Sequence, residues 1–190
     1  MKKIRSIMLL AATVLLTASV FAQKKESMEK TVMVGGAAMY PTKNIIENAV
    51  NSKDHTTLVT AVKAAGLVET LQGAGPFTVF APTNEAFDRL PAGTVDNLLK
   101  PENKAKLAGI LTYHVVAGRI SSKELAMMIK KGNGMATLKT VAGGTLVASM
   151  KNDKIIIKDE QGEWGYISIA DVNQSNGVIH VIDKVLLPGK

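Results

Sequence analysis

The chain has 190 residues, with 23 Lys or Arg, 16 Asp or Glu, one Trp and no cysteine. That length suits one ordinary domain around a single core, and without cysteine neither a disulfide nor a thiolate metal site can hold it. A formal charge of +7 with 4% aromatic residues argues against a nucleic-acid-binding composition, which pairs basic stripes with stacking rings.

Lys2, Lys3 and Arg5 precede an apolar run from Ile7 to Leu16, broken only by Thr13, and Val20-Phe21-Ala22 follows. Residues 1–22 therefore read as a secretory signal peptide cleaved after Ala22. The run is too short to span a bilayer, which takes about 20 residues. Cleavage removes three of the 23 basic residues and leaves 20 against 16, a formal charge of +4. The remaining lysines look scattered: Lys104 and Lys106, Lys130-Lys131, Lys151 and Lys154. A soluble secreted protein, periplasmic or extracellular, is expected, with no integral membrane segment in the mature chain.

Residues 23–39 are polar, end in Gly35-Gly36-Ala37-Ala38 and show no sustained period, so they read as a flexible leader. The domain is expected over residues 40–188. Thr42 is placed to cap a helix carrying Ile45, Ile46, Ala49 and Val50, and Asp54 to cap the next. Leu58, Ala61, Val62 and Ala65 make one buried helical stripe that Gly66 stops. Phe77 to Ala81, between Gly75-Pro76 and Pro82, predicts a buried strand. Pro82-Thr83-Asn84 then turns the chain into a short helix from Glu85 to Leu90, with Asn84 bonding its own backbone. Thr94 can cap a turn carrying Val95, Leu98 and Leu99, and Pro101 opens a helix with Leu107, Ile110 and Leu111 inward. Ser121-Ser122-Lys123-Glu124 is a capping box that leads into Leu125, Met128 and Ile129 and closes at Gly132.

After Gly134 the period becomes two. Leu146, Ala148 and Met150 alternate with Val147, Ser149 and Lys151, and Asn152-Asp153 is a two-residue hairpin turn into Lys154 to Lys158. Tyr166 to Val172 and Val178 to Leu187 complete the strands. Helices come first and strands after, so the fold class is α+β.

Two distant segments carry a resemblance. Gly75-Pro76-Phe77-Thr78-Val79-Phe80-Ala81-Pro82-Thr83-Asn84-Glu85-Ala86-Phe87 and Asn176-Gly177-Val178-Ile179-His180-Val181-Ile182-Asp183-Lys184-Val185-Leu186-Leu187-Pro188 are similar to the two signature blocks of fasciclin-like domains, and Tyr113-His114 matches a third element. The resemblance implies an N-terminal helix cluster packed on a β-sandwich or wedge, with Phe77, Val79 and Phe87 in the core. In animal members the Tyr-His segment and an Asp-Ile pair have been linked to integrin binding. The matching residues here are Tyr113, His114, Asp171 and Val172, which become the binding candidates. Residues flanking Asp171 differ from the animal motif, and no Arg-Gly-Asp occurs.

Catalytic readings find little support. His114 at a helix-to-strand junction suits a brace that donates to a carbonyl and accepts from a hydroxyl. His180 lies among Val and Ile and reads as a hydrogen-bonded core histidine, while His55 beside a helix cap reads as solvated. Ser27-Met28-Glu29-Lys30 has the Ser-x-x-Lys spacing without its companion motifs. Asp159-Glu160-Gln161-Gly162-Glu163 lacks the register of a calcium loop. The expectation is a non-enzymatic, secreted adhesion or surface-interaction module without cofactor or metal, binding a cell-surface protein, a polysaccharide or itself, and no nucleic acid. The alternative is a carrier of a small apolar ligand, lipid or pigment, with Met127, Met128, Met135 and Met150 as adaptable surface. Core filling is the preferred role for those methionines.

Overall fold

A computed structural model describes residues 31–189, so the expected signal peptide and its cleavage site lie outside the described residues. The described chain opens with strands β1 (Val32–Val34) and β2 (Ala37–Met39), then helices α1 (Ile45–Ala49), α2 (Thr56–Ala65) and α3 (Val68–Gln72). Strand β3 (Phe77–Pro82) precedes α4 (Asn84–Asp88), α5 (Thr94–Leu98) and α6 (Lys104–Tyr113), and β4 (Val115–Ala117) leads to α7 (Ser122–Lys131). Strands β5 (Met135–Lys139), β6 (Thr145–Lys151), β7 (Lys154–Lys158), β8 (Trp164–Gln174) and β9 (Gly177–Ile182) follow.

The long strands form one sheet in the order β4-β3-β9-β8-β7-β6-β5. A bridge between Val116 and Thr140 brings the two edges together, so the sheet curls into a sandwich. Its interior holds Phe80, Tyr113, Leu138, Leu146, Ile157, Ile182 and Leu186, closed by Leu125 and Ile129 of α7. The other face of β3, β9 and the end of β8 carries Val79, Ala81, Val172, Ile179 and Val181, and packs against α1, α2, α3 and α6. Strand β9 is buried on both faces. The fold is α+β, and the expected helix cluster on a sandwich is what forms.

At the centre lies a pairing between residues far apart in sequence. Strands β3 and β9 run parallel, with Phe77 opposite Gly177 and Pro82 opposite Ile182. The two signature segments are therefore neighbours along their whole strand length. A Cβ on Gly177 would lie 2.2 Å from the Phe77 carbonyl oxygen, so no other residue fits there without moving a strand.

Several local expectations change. Residues 32–39 are not a leader but a hairpin, with Val32 opposite Met39 and Val34 and Met39 inside the helical core. Its short strands and Gly-Gly turn gave too little period to see. Helix α1 is capped by Asn44, not Thr42, in a reciprocal box with Glu47. Thr83 caps α4 itself. Asn84 is thereby free to reach across to α2, accepting from Thr57 N–H at 3.0 Å and donating to the Lys53 carbonyl at 2.8 Å. That contact supplies the cap expected from Asp54, because α2 follows a tight turn at Lys53–His55. Gly93, in the left-handed region, stands where Thr94 was expected to cap. The capping box of Ser121 and Glu124 forms as read.

Those four methionines do not fill the core. Met127, Met128, Met135 and Met150 are all exposed, Met135 to 60%. On α7 the buried stripe is Leu125 and Ile129, which leaves Met127 and Met128 beside it. Met135 takes an outward position on β5, and Met150 overruns the inward row of β6 next to the Asn152 turn.

The hairpin is keyed to the domain at Gly35. Its φ is +57°, and a Cβ there would lie 2.4 Å from Ser52 Oγ and 2.6 Å from the Asp54 backbone nitrogen. Gly36 has a similar φ of +75° with open space around it. Gly36→Ala therefore bears only backbone strain, about 1 kcal/mol, whereas Gly35→Ala adds a clash and loses roughly 2–4 kcal/mol. Urea denaturation of the two variants measures the difference; equal losses would mean that the hairpin is not docked.

Candidate functional site

Helix α6 ends at Tyr113 because His114 redirects the chain into β4. The imidazole is held at both nitrogens: Nδ1–H donates to the Ile110 carbonyl at 2.8 Å, and Nε2 accepts from Leu186 N–H at 2.9 Å. Phe80 N–H adds a bond to the His114 carbonyl at 2.9 Å. One residue thus ties the end of a helix, strand β3 and the segment after β9. The second partner is a backbone amide, not the expected hydroxyl. Burial pushes the His114 pKa from 6.5 down to about 4, although the Ile110 carbonyl favours the charged ring. The ring stays neutral in the tautomer its partners select.

Tyr113 lies in the sandwich interior. Its hydroxyl donates to the Thr145 carbonyl at 2.7 Å and accepts from Glu160 N–H at 3.0 Å, joining α6 to the start of β6 and to the β7–β8 turn. Burial, with the Glu160 and Asp159 charges adding to it, raises its pKa to about 12. The Tyr113 and His114 side chains are both uncharged near pH 7 and both are bonded within the fold.

His180 repeats the device on β9. Its Nε2–H donates to the Ile120 carbonyl at 2.9 Å, Nδ1 accepts from Asp171 N–H at 3.3 Å, and the ring stacks on Phe80. Burial lowers its pKa as well. Asp171 sits at a bulge in β8 with φ +57°, a conformation aspartate tolerates. Its carboxylate accepts from Ser122 N–H at 2.7 Å and from the Ser122 hydroxyl. The negative charge is placed at the positive end of α7, where it stabilises the helix.

His55 is buried, contrary to the solvated position expected for it. Ser52 Oγ lies 2.9 Å from Nδ1, and Nε2 has no hydrogen-bond partner. The Ala81 carbonyl is near enough to favour the charged ring without bonding geometry, but burial prevails and lowers the pKa. This Ser–His contact lies beneath the Gly35 turn.

The four binding candidates thus meet different fates. Tyr113, His114 and Val172 are 0%, 3% and 0% exposed and belong to the core. Asp171 is half-buried, with its carboxylate engaged by Ser122. They do not assemble into an exposed patch. A set of buried amides, missed in the sequence because Asn and Gln read as loop residues, performs a related task. Asn48 donates to the Tyr40 carbonyl at 2.8 Å and to Gln174 Oε1. Asn176 accepts from Ile45 N–H at 3.1 Å and donates to the Leu71 and Gly73 carbonyls. Between them they fasten α1 and α3 to the β8–β9 turn.

A family model described as Fasciclin domain matches residues 53–188. The chain belongs to the fasciclin domain family. Its relatives include Protein sll1483 of Synechocystis, 48% identical over 163 residues, 86% of this chain and 83% of that one. Transforming growth factor-beta-induced protein ig-h3 of Sus scrofa is 40% identical over 131 residues, 69% of this chain but 17% of the much longer relative. Immunogenic protein MPB70 of Mycobacterium bovis is 35% identical over 145 residues, covering 74% of this chain and 66% of that one. The fold is similar to a solved FAS1 domain pair of the insect cell adhesion molecule Fasciclin I. There the TM-score is 0.70 at 16% identity, covering 84% of this chain and 58% of the pair.

In this fasciclin domain the neutral histidines make stability depend on pH. Their folded pKa values lie below the unfolded 6.5, so the unfolded chain binds more protons as the pH falls. For His114 the contribution is complete above pH 7 and is lost from about pH 6.5 towards its folded pKa of about 4, at up to about 1.4 kcal/mol per pH unit; His55 and His180 act in the same direction. His114→Gln should lose about 2–4 kcal/mol at pH 7 and show a shallower decline below pH 6.5 in urea titrations. An unchanged slope would contradict the bracing role.

Proposed function

We propose that this fasciclin domain is an exported adhesion or surface-interaction module that works by contact and not by turnover. The supporting observation is the use of its reactive side chains. Tyr113, His114, His180 and Asp171 are each committed to bonds within the fold. Contact therefore falls to the solvated surface, and Tyr113, His114 and Val172 act by holding that surface in shape. Membership beside the insect cell adhesion molecule Fasciclin I and the cell surface glycolipoprotein MPB83 of Mycobacterium bovis favours the same reading. Among the described residues no helix is long and apolar enough to cross a membrane. The partner is a cell-surface polymer, a surface protein or a second copy of the chain.

The apolar-carrier reading meets a geometric obstacle. An apolar crevice lies between α1, α2, α3 and the β3–β9 pair, lined by Ile45, Leu58, Val62, Leu71, Val79 and Ile179 among others. Its free volume is about 40 Å³, against roughly 300–1,000 Å³ for sites that enclose a small organic ligand. A lipid or pigment in that crevice would have to part the helices from the sheet.

Two measurements separate these readings. The purified chain should bind envelope fractions or sediment as a self-associated species, and native mass spectrometry should give the mass of the polypeptide alone. A stoichiometric apolar ligand in the spectrum, with no retention on any surface, would overturn the proposal. Asp171→Ala should lower stability by about 1–2 kcal/mol yet leave retention unchanged. Lost retention at unchanged stability would make Asp171 a contact residue.

A further inference from the structure

The inward side of β5, β6 and β7 is covered, but the outward side is not. The strand register fixes which residues share that open face. Thr137, Val147, Lys158 and Trp164 form one row across the sheet, and Met135, Ser149, Ile156 and Tyr166 the next. Lys139 and Thr145 stand at one end, and Lys151 and Lys154 face each other at the other. Lysines that look scattered along the chain are thus gathered on one surface. All four are exposed, and no outward position on β5, β6, β7 or the paired part of β8 holds an acid.

The aromatic residues stand in the same field. Trp164 and Tyr166 meet edge to face at 5.1 Å, and the Lys151 ammonium sits 3.8 Å above the Trp164 ring. The nearest acids are at the rim. Glu160 accepts from the Thr145 hydroxyl at 3.1 Å at the end that carries Lys139, Glu163 is paired with Lys184, Asp183 with Arg89, and Asp153 lies in the turn joining Lys151 to Lys154. Like charges placed directly across a strand pair destabilise a sheet, so the Lys151–Lys154 pair carries a cost, offset in part by the Trp164 and Tyr166 rings that the two ammonium groups face.

We infer that the outward face of β5–β8, carrying Lys139, Lys151, Lys154 and Lys158 around Trp164, docks a carboxylate-bearing polysaccharide. This deepens the surface-contact reading and rests on it. Thr145 to Lys151 alone spans about 20 Å of strand. A field of point charges that long suits an extended polyanion, not a single small anion. The face has lysines and no arginine at its outward positions, which fits separate carboxylates better than bidentate phosphates. Lys151 already covers one face of Trp164, leaving little ring surface for the base stacking that single-stranded nucleic acids use.

Binding of the full secreted chain to immobilised alginate, with dextran, single-stranded DNA and phosphatidylglycerol vesicles as comparisons, tests the assignment. Alginate should retain the protein at low ionic strength and release it in 1 M salt, where the screening length is about 3 Å; dextran should not retain it. The charge reversal Lys151→Glu with Lys158→Glu should weaken alginate binding by about tenfold or more. Lys104→Glu with Lys106→Glu, on α6, should change it less than about twofold. Circular dichroism confirms that both variants are folded. Failure to bind alginate, equal effects of the two variants, or tighter binding to DNA or vesicles would each overturn the assignment. If envelope fractions still bind in that case, the contact function stands and only this surface and ligand class fall.

Discussion

The parallel pairing of β3 with β9 is the constraint on which the rest depends. It joins Phe77–Pro82 to Gly177–Ile182, and every element between those segments must leave from one strand and return beside the other. A pairing of such high sequence separation carries a large loop-closure cost, which the domain offsets by burying β9 on both faces. One face completes the sandwich interior through Ile182, and the other receives the helices through Ile179 and Val181. The two cores thus share a wall. Gly177 is required at the start of that wall because Phe77 passes too close for a side chain.

A domain without cysteine still needs its corners fixed, and it fixes them with buried polar groups. His114 and His180 each accept from one amide and donate to one carbonyl, so a neutral ring satisfies two backbone groups that would otherwise be buried unpaired. Asn48, Gln174 and Asn176 do the same for the helical side. These networks explain why the family's signature segments hold polar residues in otherwise apolar strands. They are the fold's fastenings, and catalysis need not be invoked for them.

Much of the fold was legible because the long elements have clear periods. The Leu58–Ala65 stripe, the Ser121–Glu124 box, the Asn152-Asp153 turn and the β3 run read correctly, and the β9 run was found but extended past its end at Ile182. The misses have physical causes. The N-terminal hairpin is too short for a period, and Gly35 is intelligible only when Ser52 is seen beneath it. Asn84 caps a helix 27 residues earlier in the chain, which no local rule anticipates. Methionine is apolar enough to be assigned inward, yet Met135 falls on the outward alternation of its strand. The binding candidates were the weakest reading. A motif shared with adhesive relatives cannot say whether its residues meet a partner or hold the scaffold, and Tyr113, His114 and Val172 are buried in this fold. The lysines of the open sheet face were hidden for the opposite reason. Their distances in sequence say nothing until the register of three strands aligns them.

If the β3–β9 pairing is the keystone, its amides should open only when the whole domain does. Native-state hydrogen exchange followed against urea tests this directly. The amides of Thr78–Ala81 and Val178–Ile182 should exchange with one common free energy, equal to that of global unfolding. Exchange of either strand through a smaller, local opening while the other stays protected would contradict the account.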